Sequence, residues 1–352
     1  MHHRRLPWRV TPPDHKVGVV PDPYHIWLSE IMLQQTTVTA VKPYFEKFLS
    51  LWPRVEDLAA ASSDSVMQAW AGLGYYSRAH NLKKCADLIA SDYAGIFPDT
   101  EAELLKLPGI GPYTAAAIAS IAFNQPAAVV DGNIERVFSR VFIVKTPLPA
   151  AKSEIKQRVL DHMPDGRYGD FAQGLMDLGS SICTPKKPNC LLCPFQTYCT
   201  ASAVGEQELF PVKLPKKKKP KRLGAAFVIE DASGAIYLSR RPDIGLLAQM
   251  SEVPTTNWNS NQDGETDKSA APFELEWINV GEIKHVFTHF ELYLTVYHAQ
   301  ILDRNALTGA SKNGWWSGTD QISSEALPNL MKKVITAVHP NAFKAGESAS
   351  LR

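Results

Sequence analysis

Four of the five cysteines of this chain lie in one short stretch, "CTPKKPNCLLCPFQTYC". Their spacing is Cys183-x6-Cys190-x2-Cys193-x5-Cys199. Four thiolates in one compact loop are typical of a tetrahedral site for zinc or for an iron–sulfur cluster. Structural zinc sites more often use two C-x2-C pairs, and only one such pair is present here. The spacing therefore favours an iron–sulfur cluster, and the chain must bring these four residues around one point.

The composition supports metal ligation over disulfide bonding. The sequence has no run of apolar residues long enough to cross a membrane, and its start, "MHHRRLPWRV", has no apolar signal-peptide core. We therefore expect a cytoplasmic protein, associated with the nucleoid if it is bacterial, without membrane contact. Clustered cysteines in a reducing compartment are more often metal ligands. The fifth cysteine, Cys85, lies in a helical pattern and is expected to fill the core.

The length of 352 residues predicts about two domains, and the sequence pattern indicates where they lie. Residues 1–205 are predicted to form a mostly helical domain, and 206–222 a basic linker that contains "KLPKKKKPKR". Residues 223–342 are predicted to form an α+β domain, and 343–352 a flexible tail. The first part is basic and the second part is acidic, which indicates two modules with different tasks.

Local patterns predict individual elements. The stretch "SEIMLQQTTVTAVKPYFEKFLSLW" predicts one helix with Ser29 as N-cap, ending before Pro53. "LGAAFVIED" and "GAIYLSRRP" predict two strands around a turn at Asp231–Gly234. "FELYLTVYHAQIL" predicts a further strand, and "SEALPNLMKKVITAVH" a helix.

The segment "LPGIGPYTAAAIAS" is typical of a helix–hairpin–helix motif. Gly109 and Gly111 allow a tight turn, and Pro112 suits the first position of the following helix. The free N–H groups at that helix start can bind a DNA phosphate without reading the base sequence. The motif therefore predicts binding to double-stranded DNA.

The cysteine loop after a helical domain resembles the iron–sulfur DNA glycosylases related to endonuclease III. The strings "WLSEIMLQQTTV" and "GLGYYSRAHNL" and the added C-terminal module further resemble the MutY-type adenine DNA glycosylases, over nearly the whole chain. The resemblance implies an all-α helix–hairpin–helix glycosylase domain with a structural [4Fe–4S] cluster, and an α+β Nudix-like C-terminal domain. It also implies that Lys186 and Lys187 face DNA. Members of the family usually carry a helix before "LPWR", and this sequence shows none.

The resemblance assigns catalysis to two carboxylates. Asp131 in "VVDGN" matches the catalytic aspartate, and Glu30 matches a second carboxylate that protonates adenine. Purely structural roles are open for both, since Asp131 can cap a helix and an acidic residue is favoured in a helix's first turn. Tyr113 stands where bifunctional relatives have a lysine. A phenol cannot form an imine, so a monofunctional glycosylase is expected.

The resemblance also implies residues that contact DNA. Gln35 and Tyr75 match residues that wedge into the duplex when adenine leaves the base stack. Tyr113 is expected beside the flipped adenosine, and Asn133 is expected to orient Asp131. Gln35 as an ordinary helix residue and Tyr75 as surface packing are the structural alternatives.

The second module is expected to recognise the lesion. In "HVFTHFEL", Phe287, Thr288 and His289 match the loop that approaches 8-oxoguanine, although Phe287 could be core and His289 structural. The glutamate-rich metal box of a Nudix pyrophosphatase is missing from the sequence, which disfavours a nucleotide-pool hydrolase. Ala248-Gln249 stand where relatives often have two glycines, so the sheet edge could differ there.

These observations predict a monomeric, monofunctional DNA glycosylase of base excision repair. Its expected substrate is duplex DNA with adenine opposite 8-oxoguanine or guanine. One alternative is a bifunctional endonuclease III-like glycosylase/lyase, which Tyr113 disfavours. The other is a non-catalytic iron–sulfur DNA-binding protein, which the presence of both Glu30 and Asp131 disfavours.

Overall fold

Along the chain, most of the helices come first and the strands of a sheet follow. None of the helices in the described part of the chain combines the length and apolar character that crossing a bilayer requires. The predicted tail beyond residue 343 lies outside the described residues, as do residues 216 and 217 of the predicted linker. The computed structural model describes residues 3–215, 218–243, 245–304, 307 and 314–343.

The chain divides by its contacts into two compact units. Met1–Ala61 with Asn81–Lys216 form the first, and Ser62–His80 with Lys217–Arg352 form the second. The segment Ser62–His80, which the sequence pattern assigns to the first domain, thus belongs to the second unit.

The predicted linker is partly structured. Within the first unit, the backbone N–H of Leu148 donates to the Val212 carbonyl at 2.9 Å, and Leu148 forms a parallel bridge with Lys213. Lys221 and Arg222 already belong to a strand. The basic run is therefore held at both ends by backbone hydrogen bonds.

Helix α2 differs from its prediction. It begins at Pro23, with Asp22 as N-cap accepting from the Tyr24 N–H, because proline suits the first helical turn. Ser29 is therefore not a cap: it lies buried inside the helix, where its hydroxyl donates to the Ile26 carbonyl. The predicted single helix is broken after Leu33, and Thr37 caps a separate α3. The helices in chain order are α1 (Pro12–Lys16), α2 (Pro23–Leu33), α3 (Val38–Leu51), α4 (Val55–Ala60), α5 (Ser63–Trp70), α6 (Ser77–Asp92), α7 (Glu101–Leu104), α8 (Pro112–Phe123), α9 (Gly132–Val141), α10 (Lys152–Asp161), α11 (Tyr168–Ser181), α12 (Thr200–Ala203) and α13 (Asn329–Val338).

Four helices of the first unit pack around one centre. Helix α2 contacts α8, and α11 contacts both α8 and α9. α2 and α8 are buried on nearly every face, as expected of helices that are apolar all round. α11 approaches α9 so closely that a Cβ at Gly179 would lie 2.5 Å from the Asn133 Cβ. This packing brings residues far apart in sequence into one site.

The second unit contains a mixed six-stranded sheet in the order β3-β2-β1-β5-β4, with β6 also paired to β2. β1 and β5 are parallel, and the other described pairs are antiparallel. Helix α13 packs its apolar face against the sheet. The predicted strands of this module are confirmed, and the predicted helix is present but begins at Asn329, after Pro328, instead of at residue 324. Strands β3, β4 and β6 were not predicted. The strands are β1 (Lys221–Asp231), β2 (Ile236–Arg240), β3 (Ser251–Glu252), β4 (Ile278–Val286), β5 (Glu291–Ile301) and β6 (Gly314–Ser317).

Two turns of this unit need left-handed backbone. Gly234 has φ 84° and closes the predicted turn, where the Asp231 N–H donates to the Ala235 carbonyl. Gln249 has φ 57° at one of the two positions where relatives often have glycine. Its side-chain amide donates to Asp243 Oδ1 at 3.1 Å, so a local hydrogen bond accompanies the unfavourable conformation.

Candidate active site

A cavity of about 580 Å³ opens in the first unit. Its volume lies in the range of pockets that bind small molecules. Both carboxylates singled out from the sequence line it, although about 100 residues separate them. The predicted site residues that the structure brings together around this cavity are Glu30, Gln35, Tyr113, Asp131 and Asn133.

Glu30 is buried in the interior of α2, with 6% of its surface exposed. It is the eighth residue of the helix, so the alternative role of a first-turn acid is wrong. Burial is the main reason why the pKa of Glu30 rises from 4.5 to about 7. The Tyr113 hydrogen bond and the positive charge of Arg9 lower this pKa, and the negative charge of Asp131 raises it. Glu30 can therefore carry a proton near neutral pH.

Tyr113 is the second residue of α8, and its hydroxyl donates to Glu30 Oε2 at 2.8 Å. Burial, followed by the charges of Glu30 and Asp131, raises the pKa of the phenol well above 10. The phenol therefore stays protonated and acts as a donor. Tyr113 fixes the orientation of the Glu30 carboxyl group, a contact that sequence reasoning did not predict.

Asp131 caps α9. Its Oδ1 accepts from the backbone N–H groups of Asn133 and Ile134 at 2.9 and 2.8 Å, and its Oδ2 accepts from Asn133 Nδ2 at 2.7 Å. The start of a helix also favours a negative charge. The capping role and the position in the cavity are thus both present, and the role predicted for Asn133 agrees with this hydrogen bond.

A chain of hydrogen bonds leads from Asp131 to the cysteine loop. Asn133 Oδ1 accepts from Arg136 Nη2 at 2.9 Å, and Arg136 Nε donates to the Cys183 carbonyl at 2.7 Å. Burial lowers the pKa of Arg136, but this guanidinium remains charged at neutral pH. The cysteine loop therefore supports the orientation of Asn133, and through it that of Asp131.

All four clustered cysteines line one small cavity of the first unit. Arg140 is 1% exposed, and its Nη1 lies 3.2 Å from Cys183 Sγ. The same guanidinium donates to the Thr184 and Pro185 carbonyls at 2.8 and 3.1 Å. A buried cation needs a counter-charge, and thiolates ligating a metal group would supply it. Four convergent sulfurs beside a buried arginine fit a thiolate-bound metal group.

The helix–hairpin–helix motif presents a bare helix start. Gly109 has φ 76°, and a Cβ there would lie 2.7 Å from Asn81 Cβ, so only glycine fits without a shift. Gly111 has φ −93°, so the turn itself does not require glycine there. As the N-cap, Gly111 has no side chain that could accept from the α8 N–H groups, so these donors lack a side-chain cap. A phosphate oxygen can approach these donors.

The two residues expected to enter the duplex share an unusual backbone. Gln35 has φ 58° and is exposed just after the break that ends α2. Tyr75 has φ 51° and is 49% exposed, just after the glycines that follow α5. Non-glycine residues in the left-handed region are strained, and such strain clusters at functional sites. Gln35 is therefore not an ordinary helix residue.

Arg78 holds the Tyr75 loop within the second unit. Its guanidinium lies 5.2 Å from the Trp70 ring centroid and 5.4 Å from that of Tyr75. Arg78 Nη2 and Trp70 Nε1 both donate to the Gly74 carbonyl, at 3.2 and 3.0 Å. The Arg78 guanidinium thus makes a cation–π contact with the Tyr75 ring, while about half of Tyr75 remains exposed.

The predicted lesion-reading loop joins β4 to β5. Phe287 is partly buried and stacks on Phe290 with ring centroids 4.7 Å apart. Thr288 and His289 are exposed. Lys219 Nζ donates to the Phe287 carbonyl at 2.7 Å. The loop therefore exposes two polar side chains beside a pair of stacked phenylalanine rings. Its contact with 8-oxoguanine remains a prediction.

The basic lining of the active-site cavity was not predicted from the sequence. Arg9 Nη1 lies 2.8 and 2.9 Å from the two oxygens of the buried Asp177 on α11, and Arg4 Nε lies 2.6 Å from one of them. Arg4 and Arg9 both line the cavity. The only signal was the basic N-terminal segment, which does not reveal its distant partner Asp177.

Two family models match the chain. Residues 28–162 match the "HhH-GPD superfamily base excision DNA repair protein" family, and residues 225–337 match the NUDIX domain. The predicted fold class, a helix–hairpin–helix glycosylase domain followed by a Nudix-like domain, is confirmed.

Curated relatives match both parts together. The human protein named "Adenine DNA glycosylase" is 33% identical over 94% of this chain and 70% of its own length. The protein of that name from Buchnera aphidicola (Acyrthosiphon pisum strain APS) is 38% identical over 91% of each chain. A solved structure titled as a thermostable thymine-DNA glycosylase is 33% identical, with a TM-score of 0.51 over 57% of this chain and 89% of that one. The chain belongs to the adenine DNA glycosylase family.

Proposed function

We propose that this protein hydrolyses the N-glycosidic bond of adenine placed opposite 8-oxoguanine or guanine in duplex DNA, without cleaving the strand. One observation carries the proposal: a protonatable carboxyl group, Glu30, and a hydrogen-bonded carboxylate, Asp131, line the same cavity. Two carboxyl groups in different environments can divide acid and charge-stabilising roles, as they do in glycoside hydrolysis.

Glu30 acts as the general acid. Adenine leaves poorly as an anion, so protonation at N7 lowers the barrier. Tyr113 holds Oε2, and Oε1 delivers the proton. Asp131 remains ionised and stabilises the oxocarbenium-like sugar as the bond breaks. Water then completes the hydrolysis, and its proton can return to the Glu30 carboxylate.

Tyr113 also limits the reaction to base removal. Strand cleavage by imine formation needs an amine at the sugar, and a phenol cannot supply it. The Tyr113 hydroxyl already donates a hydrogen bond to Glu30. This observation disfavours the alternative of a bifunctional glycosylase/lyase.

Each unit supplies its own contacts to the DNA. In the first unit, the bare N-terminus of α8 binds a phosphate and Gln35 enters the duplex when adenine leaves the base stack. In the second unit, Tyr75 enters the duplex. The exposed Thr288 and His289 read the opposite 8-oxoguanine. The protein acts as a monomer, in the cytoplasm of its cell.

The four clustered cysteines hold a [4Fe–4S] cluster. Cys183, Cys190, Cys193 and Cys199 are its ligands, and Arg140 offsets the negative charge of the ligated thiolates. When bound, the cluster supplies structure to the loop. Through the Cys183 carbonyl and Arg136, the loop then keeps Asn133 in place beside Asp131.

Product analysis tests the function. The substrate is a duplex with 8-oxoguanine opposite adenine, and the control duplex has thymine opposite adenine. We expect free adenine only from the first, strand breaks only after hot alkali, and no borohydride-trapped complex. Breaks without alkali would show a lyase, and tight binding without adenine release would leave a non-catalytic lesion-binding protein.

Tyr113→Phe should move the pH profile of adenine excision in single turnovers. Loss of the hydrogen bond raises the pKa of Glu30 further, so the high-pH decline should shift upward. A hydrogen bond to a charged group contributes about 1.5 kcal/mol, which corresponds to roughly one pH unit. Tyr93→Phe, directly after α6, is the matched control. An unchanged or downward-shifted decline would show that Tyr113 does not act on Glu30.

A further inference from the structure

Three side chains of metal-ligand type meet in the second unit. They are Glu230 at the end of β1, His298 near the end of β5, and His339 directly after α13. One ligand atom from each lies within 4.8 Å of the other two. The lesion-reading loop precedes β5 in the chain, and β1 and β5 run parallel, so the cluster lies near the opposite ends of these strands.

The strand pattern explains how the cluster arises. Ala226 and Val228 of β1, and Leu294 and Val296 of β5, belong to the apolar core that α13 covers. Side chains alternate between the two faces of a sheet, so the next position on this face is Glu230 in β1 and His298 in β5. At the end of the core, each of the two strands therefore has a potential metal ligand at a position that continues its row of apolar side chains. His339 reaches the same point because α13 ends at Val338.

Hydrogen bonding alone does not account for this arrangement. His298 Nε2 and His339 Nε2 lie 3.0 and 3.2 Å from the same oxygen, Glu230 Oε2. The His298 contact has hydrogen-bond geometry, whereas His339 Nε2 is buried and has no hydrogen-bond partner among the described residues. A buried ring nitrogen that makes no hydrogen bond is costly, and a metal ion placed between His339 and Glu230 would satisfy it.

The ligand set fits zinc. Two imidazoles and one carboxylate form a known three-residue zinc set, with a fourth position for water. Tetrahedral zinc with bonds of about 2.0–2.1 Å places its ligand atoms roughly 3.4 Å apart. The two contacts to Glu230 Oε2, at 3.0 and 3.2 Å, are close to this value. A cavity of about 850 Å³, lined by Glu230 and His339, gives an ion and its water access to the cluster.

We propose that Glu230, His298 and His339 bind one Zn²⁺ ion. The ion joins the ends of two central strands to the end of α13, and so fastens this helix to the sheet. The site lies in the second unit and is separate from the four clustered cysteines of the first unit.

Metal content of the full chain tests the proposal. Wild type, His298→Gln, His339→Gln and the control His25→Gln are dialysed against Zn²⁺ and then against buffer, with iron and zinc measured per chain. We expect one zinc equivalent in wild type and in the control, and its loss in both ligand variants, with unchanged iron. Removing a ligand should weaken zinc binding by more than the roughly 10–100-fold that an outer-shell change costs. Equal zinc in all four proteins would overturn the proposal.

A second measurement needs no ligand variant. Co²⁺ added to the wild-type chain should give weak visible absorption without the intense near-ultraviolet band of cobalt–thiolate bonds. Excess Zn²⁺ should remove this absorption. A spectrum that contains only the thiolate band, or no bound Co²⁺ at all, would contradict a site made of histidine and glutamate.

Discussion

Asp131→Asn is expected to abolish adenine excision while the protein remains folded. The substitution removes the negative charge that faces the sugar cation, and loss of charge stabilisation at a reacting centre costs about 100- to 1,000-fold or more in rate. Asparagine is also a good N-cap, so its side-chain oxygen can still accept from the Asn133 and Ile134 N–H groups. Its amide, however, would face the amide of Asn133. We therefore expect a stability loss of only about 1 kcal/mol.

The measurements are single-turnover adenine release and thermal unfolding. Asp22→Asn is a matched control, because Asp22 also caps a helix with its side chain but does not line the active-site cavity. The control should retain full activity. If Asp131→Asn retained more than about one tenth of the wild-type rate, Asp131 would be a helix cap and not a catalytic carboxylate.

Glu30→Gln is expected to cause the second large loss. Glutamine matches the shape of protonated glutamate but cannot donate a proton in the reaction, and general acid catalysis contributes about 100- to 10,000-fold. The wild-type rate should fall as the pH rises through about 7, because the acid then loses its proton. The residual rate of Glu30→Gln should lack this decline. Glu154→Gln, on α10, is the control.

Glu30→Gln should lower activity, but it should raise the free energy of unfolding above pH 7. The pKa of Glu30 is raised from 4.5 to about 7 on folding, so the folded protein holds a proton that the unfolded chain has already lost. Wild-type stability should therefore fall as the pH rises from about 4.5 to 7. Glu30→Gln carries no such penalty and should be more stable than wild type above pH 7, by roughly 3 kcal/mol. Equal stability at pH 8 would mean that Glu30 is not desolvated.

The break between α2 and α3 shows why some elements could not be read from local patterns. The helical spacing of residues 29–52 continues across the break, and local propensity alone cannot locate it. Tertiary packing places Glu30 deep in α2 and Gln35 in a strained, exposed turn. A prediction from periodicity therefore found the helical segment but missed the division that creates the site.

The strands β3 and β4 of the second unit were not predicted for a related reason. β3 has only two residues, and β4 is exposed along most of its length, so neither has a clear buried alternation. β1 and β5, by contrast, each have a buried face and were predicted. Strands are recognised from sequence by their burial pattern, and edge strands lack it.

The sequence by itself determined the chemistry that is encoded within short stretches. The spacing of the cysteines indicates a metal group, the "LPGIG" hairpin presents free N–H groups, and Tyr113 excludes imine formation. These properties depend on residue type and local geometry, which neighbouring residues fix.

Only the tertiary structure decided how distant residues act together. Burial of Glu30 raises its pKa, Tyr113 orients it, and Asp131 shares its cavity. Desolvation and charge coupling depend on which surfaces pack together, and packing joins residues that are far apart in the chain. The cluster of Glu230 and His298 with His339 has the same origin, because no short sequence pattern contains all three.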